Sequence, residues 1–435
     1  MKIQTPPGMR DFYPAEMRLQ NWLFRHWREV SRAFGCEEYE GPIFEYLDLY
    51  TLKSGPGIVS ELFNFEDRGE RRFAIRPEMT PTLARMVAAR ANTLPRPIKW
   101  FSTPRMCRAE KPQRGRLREF FQWNVDILGV DDVLADAEVI AVAIEFVRRI
   151  GLSERDVVMR VSSRPIAASV LAGMGITSDE EANRAFGLID RYDKLGRDEF
   201  RRQWQEFAPA VDCDRLLAHL EQTDLQQSLG LAEAAGPAGE AAAKQFEELW
   251  QRLRQFQVDS YCAFDLKVVR GLAYYTGPVF ELSARQGGLR ALLGGGRYDN
   301  LTQLLDGPRV SGVGFGMGDA PVLELLTELG KLPALSAGLD VFVIDAGSEL
   351  FPKAVEITSQ LRRAGFACDF SYKRQAIGKQ FAQAEKRGAR LAIVVGAELA
   401  ESGQLTVKDM RTAQQQAVAA AELLADPLST LGAMR

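Results

Sequence analysis

The stretch Arg105–Gly129, RMCRAEKPQRGRLREFFQWNVDILG, restricts the possible folds more than any other part of this chain. Its second half alternates: Phe121, Trp123, Val125 and Ile127 are apolar, and Gln122, Asn124 and Asp126 between them are polar. Side chains alternate across a strand, so this pattern predicts one face to bury and one polar face turned outward. Pro112 and Gly115 in KPQRGR favour a turn, and the whole stretch reads as strand, loop, strand. Between Arg105 and Arg118 stand six Lys or Arg residues against one acid, Glu110, in a chain whose formal net charge is -3. Two readings fit that hairpin, a solvated edge and a grip for a polyanion.

Length and composition bound the rest. A chain of 435 residues makes about two to three domains with ample core. The five cysteines, at 36, 107, 213, 262 and 368, form no CxxC pair; neither a zinc site nor a disulfide framework is expected, and a reducing cytoplasm is the default. The N-terminal residues carry no signal-peptide pattern, and no apolar run is long enough to span a membrane. The two histidines, His26 and His219, lie in amphipathic stretches without metal-ligand partners, so the chemistry rests on Arg, Glu, Gln, Asp and Tyr.

In chain order, the spacing predicts a helix over 16–34, a strand start at 41–44, and paired strands over 61–66 and 72–76 about a turn at Asp67-Arg68-Gly69. Arg76-Pro77-Glu78-Met79-Thr80-Pro81 then breaks the strand, with Thr80 as N-cap and Pro81 as the first helical residue. Glu78 reads either as a carboxylate suited to the helix dipole or as a ligand group. A helix over 135–151 and a strand over 157–161 follow, then a largely helical insertion from about 164 to 257. Strand signals return at 261–269 and at 279–283. Three glycine-rich segments follow one another closely: Arg270-Gly271-Leu272-Ala273-Tyr274-Tyr275-Thr276-Gly277, Gly294-Gly295-Gly296-Arg297-Tyr298-Asp299 and Gly314-Phe315-Gly316-Met317-Gly318. The last predicts a strand with one nearly bare face, on which a flat ligand can lie or a helix can pack. After Lys331-Leu332-Pro333-Ala334, alternating strands and helices from 339, ending in a helix over 413–424, predict a separate α/β domain.

Together these segments resemble the class II aminoacyl-tRNA synthetases, in particular the histidyl-tRNA synthetase family, along nearly the whole chain. Pro7-Gly8-Met9-Arg10-Asp11 and Gly41-Pro42-Ile43-Phe44-Glu45 look like its N-terminal signature and its first motif, a dimer-interface element. Arg76-Pro77-Glu78-Met79-Thr80 is similar to RPEGT, with Met79 for Gly. Arg108, Glu110, the KPQRGR loop and Glu119-Phe120-Phe121-Gln122 resemble motif two. Arg270 to Gly277 resembles RGLDYYTG, with Ala273 for Asp. The resemblance implies an α+β fold: a class II antiparallel sheet flanked by helices over residues 1–330, including the insertion, a linker at 331–338, and an α/β anticodon-binding domain over 339–435.

It further implies ligation of L-histidine to tRNA(His) through an adenylate, with ATP and Mg²⁺, by a cytoplasmic homodimer. Arg108 and Arg270 would be catalytic. ATP would be held by Arg108, Glu110, Arg116 and a ring, Phe120 or Phe121, stacked on adenine. Histidine would be held by Glu78, Gln122, Asp126, Arg270, Tyr274 and Tyr275, and the tRNA acceptor end by Lys111, Arg114 and Arg116; no residue is assigned directly to metal. Pro321 stands near the position where motif three carries a γ-phosphate-binding Arg, leaving Arg297, Arg309 or Asp319 acting through a metal as substitutes. Two other functions share the resemblance: a non-catalytic, histidine-sensing regulatory subunit of ATP phosphoribosyltransferase, and an amino-acid-activating paralogue with another acceptor.

Overall fold

A long strand with one apolar face needs a surface to pack on, and the larger unit of this chain is built on that need. The computed structural model describes residues 3–54, 56–222, 224–270, 274–335 and 338–432; Gly271, Leu272, Ala273 and residues 336–337 of the expected linker lie outside them. The chain divides into two compact units, 1–13 with 20–332 and 14–19 with 333–435.

The strands of the first unit are β1 (Glu37–Glu38), β2 (Phe44–Tyr46), β3 (Asn64–Glu66), β4 (Arg72–Ile75), β5 (Ile98–Ser102), β6 (Arg105–Cys107), β7 (Glu119–Leu128), β8 (Val157–Ser163), β9 (Cys262–Phe264), β10 (Pro278–Ala284), β11 (Leu293–Arg297) and β12 (Gly312–Gly318). Their main sheet runs β1-β5-β7-β12-β11-β10-β8-β9, with β6 on β7, and β2, β4 and β3 form a small separate sheet. From β5 to β8 the main sheet is antiparallel, and its edge pairs β1–β5 and β8–β9 are parallel. The expected antiparallel class II sheet is therefore mixed at its rims.

The apolar face of β7 is the centre of the core. Trp123 and Val125 are fully buried, Trp123 stacks on Trp27 at 6.0 Å, and its Nε1 donates to Ser31 Oγ at 2.9 Å. Helix Leu134–Arg149 packs on β7 and β12 and is covered in turn by helix Pro237–Gln255, which explains why it is apolar nearly all round. The insertion is helical as predicted, and Ser178, Asp212 and Asp224 cap its helices by accepting from backbone N–H groups.

Three local expectations are corrected. Helix Thr80–Arg90 starts at Thr80, with Met79 at the cap position and no side-chain cap. The strand over 261–269 shrinks to β9, because Asp265 accepts from the Lys267 backbone N–H at 3.0 Å and turns the chain. The helix expected over 413–424 is strand β17 (Gln415–Ala419) followed by helix Ala420–Ala425.

The second unit holds β13 (Leu339–Asp345), β14 (Cys368–Phe370), β15 (Ala389–Val395), β16 (Gln404–Asp409) and β17, in the order β14-β13-β15-β16-β17. The first three are parallel and the last two antiparallel. Antiparallel pairing with β16 overrides the helix propensity of the Ala- and Gln-rich run. Helices Phe351–Arg363 and Ile377–Lys386 pack on the sheet.

Candidate active site

Strand register brings the predicted residues together. β12 lies beside β7 so that Gly314 faces Asp126, Gly316 faces Asn124 and Gly318 faces Gln122. β11 continues the row, with Gly296 opposite Gly314 and Gly294 opposite Gly316. Directly opposed residues share a face, so the polar side of β7 opens onto a floor of glycine.

That floor is not bare, as the sequence had suggested. A Cβ on Gly314 would overlap the Asp126 carboxylate, one on Gly294 would overlap the Arg270 guanidinium, one on Gly316 would lie 2.7 Å from Gln122 Cδ, and one on Gly296 would lie 2.8 Å from Tyr275 Cδ1. The glycines make room for four of the candidate side chains, which lie flat across the strands.

Asp126 is buried beneath them, and the Tyr298 hydroxyl donates to its Oδ1 at 2.5 Å. Burial lifts the Asp126 carboxyl to about 7, opposed by the Tyr298 hydrogen bond. Tyr298 is a participant that the sequence reading passed over. The signal was available, since 294, 296 and 298 share one parity along the glycine strand. Tyr274 packs against Tyr275 at 4.7 Å and Tyr298 at 6.2 Å, and burial pushes the Tyr274 hydroxyl well above its ordinary range.

Arg270 has a left-handed backbone, φ 47°, a conformation that costs a non-glycine residue roughly 1–3 kcal/mol. The buried Arg164 holds it there: its Nε and Nη2 donate to the carbonyls of Val269 and Arg270 at 3.3 and 3.0 Å. The Arg270 guanidinium donates to Glu281 Oε2 at 3.3 Å, and its Nε is buried without a hydrogen-bond partner, the condition of a group built to meet an anion. Arg108 Nε donates to the Pro77 carbonyl at 3.1 Å, and its guanidinium lies 5.0 Å over the Phe120 ring. Burial pulls the Arg108 guanidinium down, the charge of Glu78 opposes, and Arg270 acts with burial. Glu78 also bears on Tyr274 and Tyr275, so Glu78, Arg108, Arg270 and the two tyrosines lie within electrostatic reach of one another.

Phe121 is corrected as a ring for adenine. It points to the opposite face of β7, packing at 5.8 and 4.9 Å on Phe12 and Phe24, because alternation puts it with Trp123. Phe120 remains on the site face. Glu110 and Arg116 pair with each other, and Arg114 pairs with Glu324 and Glu328; Lys111 is exposed. Two of the γ-phosphate substitutes are spoken for: Arg297 is buried in an ion pair with Asp136, and Arg309 faces Asp131 and Asp299. Asp319 is equally engaged, accepting from Arg10 Nη2 at 2.7 Å and from the Phe121 N–H at 3.0 Å.

Two guanidinium groups beside buried acceptors over a flat floor suit a zwitterion with a hydrogen-bonding side chain, held against a phosphate. Comparison with known proteins gives the same direction. Residues 8–320 match the histidyl-tRNA synthetase family and residues 340–426 an anticodon-binding domain. The chain is 39% identical over 415 residues to the histidine–tRNA ligase of Opitutus terrae, covering 94% of each chain. It is 38% identical to the chloroplastic/mitochondrial enzyme of Arabidopsis thaliana, covering 97% of this chain and 86% of that one. In fold it is similar to the crystal structure of histidyl-tRNA synthetase from a Nostoc species, with a TM-score of 0.84 at 24% identity over 100% of both chains.

Proposed function

The chain belongs to the histidyl-tRNA synthetase family, and from that premise we propose that it joins L-histidine to tRNA(His) using ATP, through a histidyl adenylate. The observation that carries this reading is the convergence of Arg108, Arg270, Glu78, Gln122 and Asp126 over the glycine floor of β11 and β12.

In the first step the histidine carboxylate attacks the α-phosphorus of ATP, and pyrophosphate leaves. Two anions must meet, so Arg108 and Arg270 hold the carboxylate and α-phosphate from two sides and neutralise the charge that grows at phosphorus. Glu78 and Gln122 receive the substrate ammonium, Asp126 accepts from the imidazole N–H, and Tyr274 and Tyr275 wall the ring. Phe120 stacks on adenine. Mg²⁺ fits as an ion carried by the nucleotide, since it takes phosphates with one or two carboxylates. Glu110, beside Arg116, would hold it, and its contribution is to draw charge from the phosphates. In the second step a terminal ribose hydroxyl of the tRNA attacks the histidyl carbonyl and AMP leaves.

Lys111, Arg114 and Arg116 serve the acceptor end. The ion pairs of Arg114 are partly exposed, and such pairs contribute roughly 0–1 kcal/mol, so a tRNA phosphate can replace them. We assign 1–330 to the catalytic domain, 331–338 to a linker and 339–435 to anticodon binding. A homodimer is supported by the β2-β4-β3 sheet, where Phe44, Tyr46 and Phe65 are each more than 40% exposed beside Phe73, with exposed Ile43 just before β2, an apolar patch of the kind that marks interfaces. A cytoplasmic location is supported by the free cysteines; among the described residues no helix is long and apolar enough to cross a membrane. The regulatory-subunit alternative is less well supported, as it leaves the region matching an anticodon-binding domain without a use.

Histidine-dependent exchange of pyrophosphate into ATP, followed by charging of tRNA(His), tests the reading. Absence of exchange overturns it, and exchange without charging moves the protein to the paralogue that uses another acceptor. Arg270→Ala should abolish exchange with little change in melting temperature.

A further inference from the structure

Pro321 leaves the outer phosphates of ATP without the expected guanidinium, and the cations closest in sequence are committed elsewhere. The structure offers another. Residues 113–116 form a tight turn closed by reciprocal backbone bonds between Gln113 and Arg116, both 2.9 Å, with Gly115 left-handed at φ 68°. A Cβ on Gly115 would lie 4.0 Å from Pro321 Cβ, so this turn covers position 321. Into the same turn reaches Arg290, from the segment entering β11: its Nη2 donates to Gln113 Oε1 at 2.8 Å.

We propose that Arg290 binds the β- and γ-phosphates of ATP, replacing from the β10–β11 connection the arginine that motif three lacks. This rests on the adenylate-forming reading above. Arg290 donates to a neutral amide, whereas Arg105, Arg114, Arg297 and Arg309 face carboxylates. Exchanging Gln113 for a phosphate therefore breaks no ion pair. Arg290 is half-buried, and its charge falls on Arg116, whose guanidinium is pulled down by burial, then by Arg290 and Arg108, with Glu61 opposing. Arg116 is thus repelled by both Arg290 and Arg108, with Glu110 and Glu61 as partial counter-charge. A triphosphate laid from Arg108 outward relieves that repulsion.

The test is pyrophosphate exchange with Arg290→Ala and Arg290→Lys beside the unaltered protein. Arg290→Ala is expected to raise the KM for ATP roughly ten- to a hundredfold, the worth of a lost charged hydrogen bond, with the KM for histidine nearly unchanged. Arg290→Lys should recover part of that loss. Equilibrium binding supplies the second measurement: Arg290→Ala should weaken ATP but not AMP, since AMP has no outer phosphates. An unchanged KM for ATP, or equal weakening of ATP and AMP, overturns the inference while leaving the ligase reading in place; absence of histidine-dependent exchange by the unaltered protein overturns the ligase reading itself.

Discussion

The Tyr298 hydroxyl donates to Asp126 Oδ1 over 2.5 Å, with both residues sealed from solvent. Burial brings the Asp126 carboxyl to about 7, opposed by this hydrogen bond. The charged acceptor for an imidazole N–H is therefore populated only as pH rises through neutrality. The KM for histidine is expected to fall between about pH 6 and pH 8. Free histidine titrates in the same range, so the comparison is with Asp126→Asn, which shares that titration; identical pH profiles for the two proteins would remove Asp126 from the imidazole pocket.

The same shift has a sign for stability. The folded carboxyl titrates at about 7 against 3.8 ordinarily, so its contribution is fully present below about pH 4 and is lost as pH rises through about 7. Above neutrality the free protein carries a buried charge, so Asp126→Asn should be more stable than the unaltered protein at pH 8, by on the order of 2–4 kcal/mol, and melt higher. The gap should close toward pH 5. Thermal melts at the two pH values check this, and a variant that melts lower at pH 8 would show that the Tyr298 bond outweighs the burial cost.

Gly314→Ala places a methyl group where the Asp126 carboxylate lies, without touching any ligand-binding side chain's identity. The same methyl would lie 2.8 Å from the Val125 carbonyl oxygen, so Asp126 must rotate away from Tyr298 and the β7–β12 pair must give locally. The KM for histidine is expected to rise about tenfold or more, as expected for loss of one charged hydrogen bond, with the KM for ATP changing much less. Steady-state exchange with each substrate varied separately reads both.

These relations show what the sequence carried and what it could not. Alternation from Phe121 to Ile127 was enough to place Gln122 and Asp126 on one face, because a strand has only two. It also sorts Phe120 from Phe121, an inference available from parity alone. The glycine spacing located the floor, but only the β7–β12 register reveals that Gly314 stands under Asp126, and register depends on pairing between residues far apart in the chain. Arg290 gave no local signal for the same reason: its partner Gln113 is distant in sequence. In the second unit, Gln415–Ala419 looked helical because propensity is local, whereas the edge of β16 that captures it is not.

Arg297 resembles a candidate phosphate ligand in sequence, and its surroundings make it a structural residue. Its guanidinium pairs with the fully buried Asp136 and donates to the carbonyls of Val130 and Asp132 at 3.0 and 3.2 Å. Burial raises the Asp136 carboxyl to about 6, against the pull of Arg297. Arg297→Ala strands that carboxylate without its partner, a change that costs about 3–5 kcal/mol. Protonation relieves the stranded charge, so the variant's deficit in melting temperature should be largest near pH 8 and shrink toward pH 5. Adding Asp136→Asn should restore part of the loss at pH 8. The fraction that remains folded should keep a nearly unchanged KM for ATP; a large rise in that KM with intact stability would instead return Arg297 to the phosphates.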